Sequence, residues 1–214
     1  MVFTGDEFAD GSEFILNTLK KQAIHASFFL TGKFYSNPAF ASIIQRMKKE
    51  GHYLGAHSDQ HLLYCDWTKR DSLLVTHEQF TTDLKANYKR MAQLGITKTD
   101  APYFLPPYEW YNTKIAEWTK ELGLQLVNFS PGTRSTADYT WPEMGLRYRS
   151  SDEIYRSIID YETKNPQGLN GYILLLHIGT DPRRTDKFHL QLDKLLKELK
   201  SRGYTFFKIN ELLN

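Results

Sequence analysis

Short apolar, β-rich runs alternate with stretches at helical spacing from one end of the chain to the other. This alternation restricts the fold more than any other feature. Strand-like runs lie at 1–5, 26–31, 53–56, 103–106, 124–129, 172–176 and 204–209. Between them, apolar residues recur with the period of one helix face. Such sets are Phe14, Ile15, Thr18 and Leu19; Ile43, Ile44 and Met47; Phe80, Leu84 and Met91; Ile115, Trp118 and Leu122; Ile154, Ile158 and Tyr161; and Leu192, Leu195, Leu196 and Leu199. Strands alternating with helices predict a parallel set with helical crossovers. About seven strands by this pattern, in 214 residues, predict one α/β domain over residues 1–214. A distorted (β/α) barrel is favoured over an open sheet.

Local signals agree with this layout. Thr76 with Gln79, and Ser150 with Glu153, have capping-box spacing ahead of helical stripes. Pro38 suits a helix first turn. Asp10 precedes the first helix and reads as its N-cap. Residues 130–149, with Pro131, Gly132, Trp141 and Pro142, read as a long surface loop.

Composition narrows the partners. The net charge is +2 and no basic stripe stands out, so nucleic acid is not expected. The lone Cys65 excludes an intrachain disulfide. No apolar run is long enough to span a membrane. Met1 sits directly on a strand-like run, so an N-terminal segment is expected to be missing. A secretion signal would be lost with it, and that would put the protein outside the cell or in the periplasm.

In barrels of this kind the active site lies at the C-terminal ends of the strands. Asp6, Glu7 and Asp10 follow the first run, and His57 and His61 follow the third. Pro106, Pro107 and Tyr108 follow the fourth, and His177 ends the sixth. On a helical turn, histidines four apart share a face and are able to grip one metal ion, a carboxylate completing the set. The same spacing also arises by chance on a helix, and the rim position is what favours the metal. His177 reads equally as a core histidine, until its place at the same rim is counted.

These residues resemble the NodB-type polysaccharide deacetylases, carbohydrate esterase family 4, along essentially the whole chain. His57-Ser58-Asp59-Gln60-His61 is similar to the family's His-Ser/Thr-x-x-His motif. Phe104-Leu105-Pro106-Pro107-Tyr108 is similar to its Phe-Arg-Pro-Pro-Tyr, Leu175-Leu176-His177 to its Leu-x-His, and Ala26-Ser27-Phe28-Phe29 to its Ala-Thr-Phe-Phe strand. The resemblance implies a distorted (β/α) barrel that hydrolyses N- or O-acetyl groups of an oligo- or polysaccharide. It implies a divalent metal on Asp6, His57 and His61, with zinc the default and cobalt, nickel or iron able to replace it. It further implies His177 as general acid, the Tyr108 N–H as oxyanion donor, and Pro107, Tyr108, Trp110 and Trp141 about the sugar.

Three departures accompany it. Aligned without a gap, the family's base aspartate falls on Gly5 and its metal aspartate on Asp6; a one-residue gap would instead pair Asp6 with the base and Glu7 with the ligand. The family's arginine that braces the base is Leu105, a loss coherent with the first. The fourth motif is not recognisable at 128–132, which leaves Asp181 to orient His177. Glu7, or Asp10, then stands as the substitute base. Two alternatives follow: a catalytically impaired, metal-containing carbohydrate-binding domain, and a metal-dependent amidohydrolase acting on cyclic amides.

Overall fold

The computed structural model describes residues 1–213. Six parallel strands form one sheet: β1 (Val2–Gly5), β2 (Ser27–Leu30), β3 (Tyr53–Ala56), β4 (Tyr103–Phe104), β5 (Gln125–Leu126) and β6 (Leu175–His177). Their order is β5-β4-β3-β2-β1-β6. The first three strands are buried at every residue, as expected of parallel strands covered on both faces. Beyond the sheet edges, the Ser130 N–H donates to Ile173 O at 3.0 Å, and the Ile173 N–H donates to Ser130 Oγ at 3.0 Å. These bonds tie the chain after β5 to the chain before β6, in keeping with a distorted barrel.

The helices are α1 (Ser12–Lys21), α2 (Gly32–Ser36), α3 (Ala41–Lys49), α4 (His77–Gln93), α5 (Thr113–Glu121), α6 (Ser151–Lys164), α7 (Leu192–Ser201) and α8 (Ile209–Leu212). Most of the expected stripe residues are buried: Ile15, Thr18 and Leu19 on α1, where Phe14 is exposed and Leu16 is buried instead, and Leu192, Leu195, Leu196 and Leu199 on α7. Both capping boxes form, with Thr76 bonded to the Gln79 N–H and Ser150 to the Glu153 N–H. Caps of this kind contribute about 1 kcal/mol each. Among the described residues no helix is long and apolar enough to cross a membrane.

Three expectations need correction. The run at 204–209 forms no strand; it passes into α8, tied to the sheet by the Ile209 N–H bond to Ser27 Oγ (2.8 Å). Asp10 does not cap α1. Its carboxylate accepts the Thr180 N–H at 2.7 Å and pairs with Lys187 at 2.8 Å, and Gly11 occupies the cap without a side-chain bond. Residues 130–149 are only partly a surface loop. Two short 3₁₀ turns, Ser135–Tyr139 and Pro142–Arg147, shape it, and Ser135, Asp138 and Thr140 are buried.

Candidate active site

A cavity of about 1220 Å³ opens at the C-terminal end of the sheet. Asp6, Glu7, His57, His61, Tyr108, Trp110, Trp141 and His177 all line it, whereas Pro107 is buried in its turn and does not. All the expected site residues except Pro107 are thus brought together.

His57 and His61 are not on a helical turn. The chain from Ser58 to His61 bends sharply, with φ of 72° at Ser58 and 58° at His61. Left-handed non-glycine residues cost about 1–2 kcal/mol each, so other bonds must hold the bend. α4 supplies them from a single polar stripe. Asp83 accepts Ser58 Oγ–H (2.6 Å), Asp59 N–H (3.1 Å) and Gln60 N–H (2.9 Å). One turn on, Asn87 Oδ1 accepts the His57 N–H (3.1 Å), and Arg90 binds Asp59 through Nε (2.5 Å) and Nη2 (3.2 Å). Asp59 also packs so close to Gly32 that a Cβ there would lie 1.7 Å from its Oδ1, so no other residue fits at 32.

The bend aims both imidazoles at the cavity, their centroids 5.1 Å apart. His57 Nδ1 lies 2.7 Å from Leu105 O. A carbonyl only accepts, so Nδ1 carries the proton and Nε2 keeps its lone pair for a ligand. Burial, with the neighbouring His61, lowers the His57 pKa to about 3. Burial and His177 lower that of His61 to about 4. Both rings are therefore neutral near pH 7, the form that binds metals. Asp6 Oδ1 accepts the Thr31 hydroxyl at 2.9 Å, and Oδ2 makes no hydrogen bond with any described residue. Among the described residues no three His, Cys, Asp or Glu side chains converge closely enough to form a coordination group. The donor chemistry of two neutral imidazoles beside a carboxylate nevertheless fits a divalent ion.

Position 5 is more constrained than its sequence alignment implied. Thr4 pairs with His177 and faces the cavity, while Gly5 pairs with Leu30 on the opposite face. A Cβ on Gly5 would lie 2.7 Å from Ile178 Cγ2 and 2.8 Å from Leu30 Cδ2, with Phe34 at 3.1 Å. A side chain there enters the layer between sheet and helices, and only its backbone borders the cavity. Asp6, two residues beyond Thr4, is the first acidic residue on the cavity side.

His177 is oriented by Asp138, not Asp181. Asp138 Oδ2 accepts the His177 N–H at 2.8 Å and Oδ1 lies 2.6 Å from Nδ1. Asp181 is engaged by Arg183 at 2.6 Å. Burial opposes charge on His177, but Asp138, by its charge and hydrogen bond, and Glu109, by its charge, raise the pKa above the ordinary histidine value. Arg184, fully buried, fastens the Asp138 loop by donating to the carbonyls of Thr140 and Arg149 (3.0 Å for the latter).

Glu109 was not anticipated either. It lines the cavity beside this pair, and burial pushes its pKa up to about 7, with Asp138 adding and His177 opposing. An acidic residue directly after Pro-Pro-Tyr was the available signal. Trp67 is a further addition: it stands edge-on to Tyr108 (5.5 Å) and stacks on Trp110 (5.8 Å) at the cavity mouth.

Comparison with known proteins places this arrangement. The family model described as polysaccharide deacetylase matches residues 4–127. The chain belongs to that family. It is 30% identical over 199 residues to a peptidoglycan-N-acetylglucosamine deacetylase of Listeria monocytogenes, covering 92% of this chain and 35% of that protein. The chain thus spans about a third of that relative's length. The crystal structure of Bacillus subtilis PdaA, a family 4 carbohydrate esterase, superposes with a TM-score of 0.73 at 27% identity, covering 99% of this chain and 78% of the other. A pseudoenzyme of the same family from Bacillus anthracis has the same fold, with a TM-score of 0.69 at 18% identity, covering 100% and 65%.

Proposed function

We propose that the protein is a metal-dependent hydrolase that removes N- or O-acetyl groups from a carbohydrate. The observation that carries this reading is the pairing, across one cavity, of two neutral imidazoles with an imidazole that Asp138 favours as imidazolium. The peptidoglycan deacetylases among its relatives support an acetylated cell-wall glycan as substrate class.

His57, His61 and Asp6 would hold the ion, most readily zinc. When bound, it supplies Lewis-acid polarisation of the acetyl carbonyl and a lowered pKa for water. The protein's own groups do the rest. His177 presents Nε2 to the cavity because Nδ1 is held by Asp138, and its proton goes to the leaving nitrogen or oxygen. The Tyr108 N–H, set by a left-handed turn, faces the developing oxyanion. Trp110, from the turn after β4, and Trp141, from the loop after β5, line the cavity that would take the sugar.

The second reading is a catalytically impaired, metal-containing carbohydrate-binding domain. The observation favouring it is position 5, where apolar side chains fill the space a carboxylate would need. Acetate release from a panel of acetylated oligosaccharides, with metal-loaded and chelated protein side by side, separates the two. Metal-dependent release is the expected result. Glycan binding without release would favour the second reading. His57→Ala is expected to lose bound metal, and stoichiometric metal in that variant would sink the ligand assignment.

A further inference from the structure

We propose that Glu109 is the carboxylate that takes the proton of the attacking water; this rests on the deacetylase reading above. The other acids of the cavity are engaged or exposed. Asp6 is engaged by Thr31, and its charge reaches His57. Asp138 gives both oxygens to His177, and Asp181 is bound by Arg183. Glu7 is exposed. Glu109 is the remaining one, and its carboxylate makes no hydrogen bond and no ion pair with any described residue.

Its placement is enforced by the backbone. Tyr108 and Glu109 are consecutive left-handed residues, with φ of 59° and 53°. The Glu109 N–H donates to Pro106 O (3.0 Å), the Trp110 N–H to Pro107 O (3.2 Å) and Asn128 Nδ2 to Glu109 O (2.8 Å). Side chains in such strained, well-anchored turns cluster at functional sites. Here the anchored turn sets Tyr108 against His61, ring centroids 4.5 Å apart, and puts Glu109 in the cavity wall.

The charged and titratable groups facing Glu109 are few. His177 comes from β6, Asp138 and Tyr139 from the loop after β5, and Arg147 from its rim; Asp6 and Glu7 stand beyond Tyr108 on the β1 side. Burial and Asp138 push Glu109 up to about 7, His177 opposing, so it is a competent proton acceptor near neutrality.

The step balances. One O–H bond of water breaks and its proton passes to a Glu109 carboxylate oxygen, while the water oxygen bonds to the acetyl carbon. The C–N or C–O bond then breaks, and the leaving atom takes the proton of His177. Transfer of the Glu109 proton to His177 restores both groups, giving acetate and a free amine or hydroxyl.

The test compares metal-loaded wild type with Glu109→Gln and Glu109→Asp, measuring acetate release from an acetylated chitooligosaccharide against pH. In the wild type the rate is expected to rise through about 7 as Glu109 ionises. It should fall again once pH passes the raised value of His177. Glu109→Gln is expected to lose about 10²–10⁴ in kcat, with KM little changed and the acidic limb gone; Glu109→Asp should keep the limb and part of the rate. A Glu109→Gln enzyme with wild-type kcat and an unchanged acidic limb overturns the inference alone. A wild type silent on every acetylated substrate overturns the deacetylase reading and this inference with it. A carboxyl NMR titration gives an activity-free check: Glu109 titrating in the ordinary range of glutamate overturns the assignment.

Discussion

Gly5 shows what a single residue decides at this site. Its α-carbon faces Leu30, Phe34 and Ile178, so a side chain grows into apolar packing and not toward the cavity. Reinstating the family's aspartate by Gly5→Asp is therefore expected to harm the fold and restore nothing. Overpacking costs about 1–3 kcal/mol, and an unpaired buried carboxylate costs several more. In a domain of this size that corresponds to a melting temperature lower by ~10 °C or more. A Gly5→Asp protein that melts with wild type and gains acetate release would show that this face is open after all. At this scale the sequence was informative where chemistry depends on residue type at a strand end: Asp6, His57, His61 and His177 all reach the cavity. It was silent on Asp138 and Glu109. Asp138 meets His177 across 39 positions because of the path of a loop with no periodicity. Glu109 gains its character from burial and a left-handed backbone, neither of which leaves a mark in residue spacing.

Among the elements, α4 does most to shape the site while contributing no group to the cavity. Its apolar stripe, Phe80, Leu84 and Met91, was legible as periodicity and buries as expected. The adjoining stripe of Asp83, Asn87 and Arg90 reads in sequence as an ordinary polar face. It is in fact directed inward, where it supplies the bonds that the bend from Ser58 to His61 cannot make for itself. Short strands were harder to bound than helices. β4 and β5 are two residues each because parallel pairing ends where the chain must turn outward, and periodicity does not record pairing. The run at 204–209 has strand composition but no ladder, for the same reason. Removing one member of the α4 stripe tests its role. Asp83→Ala leaves Ser58 Oγ–H and the N–H groups of Asp59 and Gln60 without their acceptor. At about 1–3 kcal/mol for each buried orphan, the loss in unfolding free energy should reach several kcal/mol. Metal affinity should fall about 10–100-fold, as for other groups that orient ligands. Denaturant unfolding and zinc titration measure the two effects. Unchanged zinc affinity in a folded Asp83→Ala protein would mean that the bend holds itself.

Considered as a whole, the molecule gathers every strand end at one side and leaves a cavity larger than one sugar ring requires. Its volume, about 1220 Å³, exceeds the ordinary range for small-ligand sites. Trp67, Tyr108 and Trp110 form one aromatic wall, with Arg70 4.3 Å above the Trp110 ring; Trp141 lines the cavity from the loop after β5, with Arg183 at 4.0 Å. Arginine stacking on one face fixes each ring, and a fixed ring loses little freedom when a pyranose packs against it. Trp67 is 54% exposed, so its surface is available to a ligand. Several sugar units are thus expected to bind, with the acetyl group to be cleaved next to His177 and its neighbours along the aromatic wall. This predicts that KM falls as the oligosaccharide lengthens. Trp67→Ala should raise KM for long oligomers about tenfold, a loss of ~1.4 kcal/mol. kcat should stay unchanged, because binding lost equally from ground and transition states does not alter the chemical step. Hydrolysis of para-nitrophenyl acetate, too small to reach the wall, should be untouched. Comparing the variant on a monomer, a dimer and a pentamer series decides it. A loss that is the same at every length would place Trp67 in the support of the catalytic groups and leave the wall without a role in substrate binding.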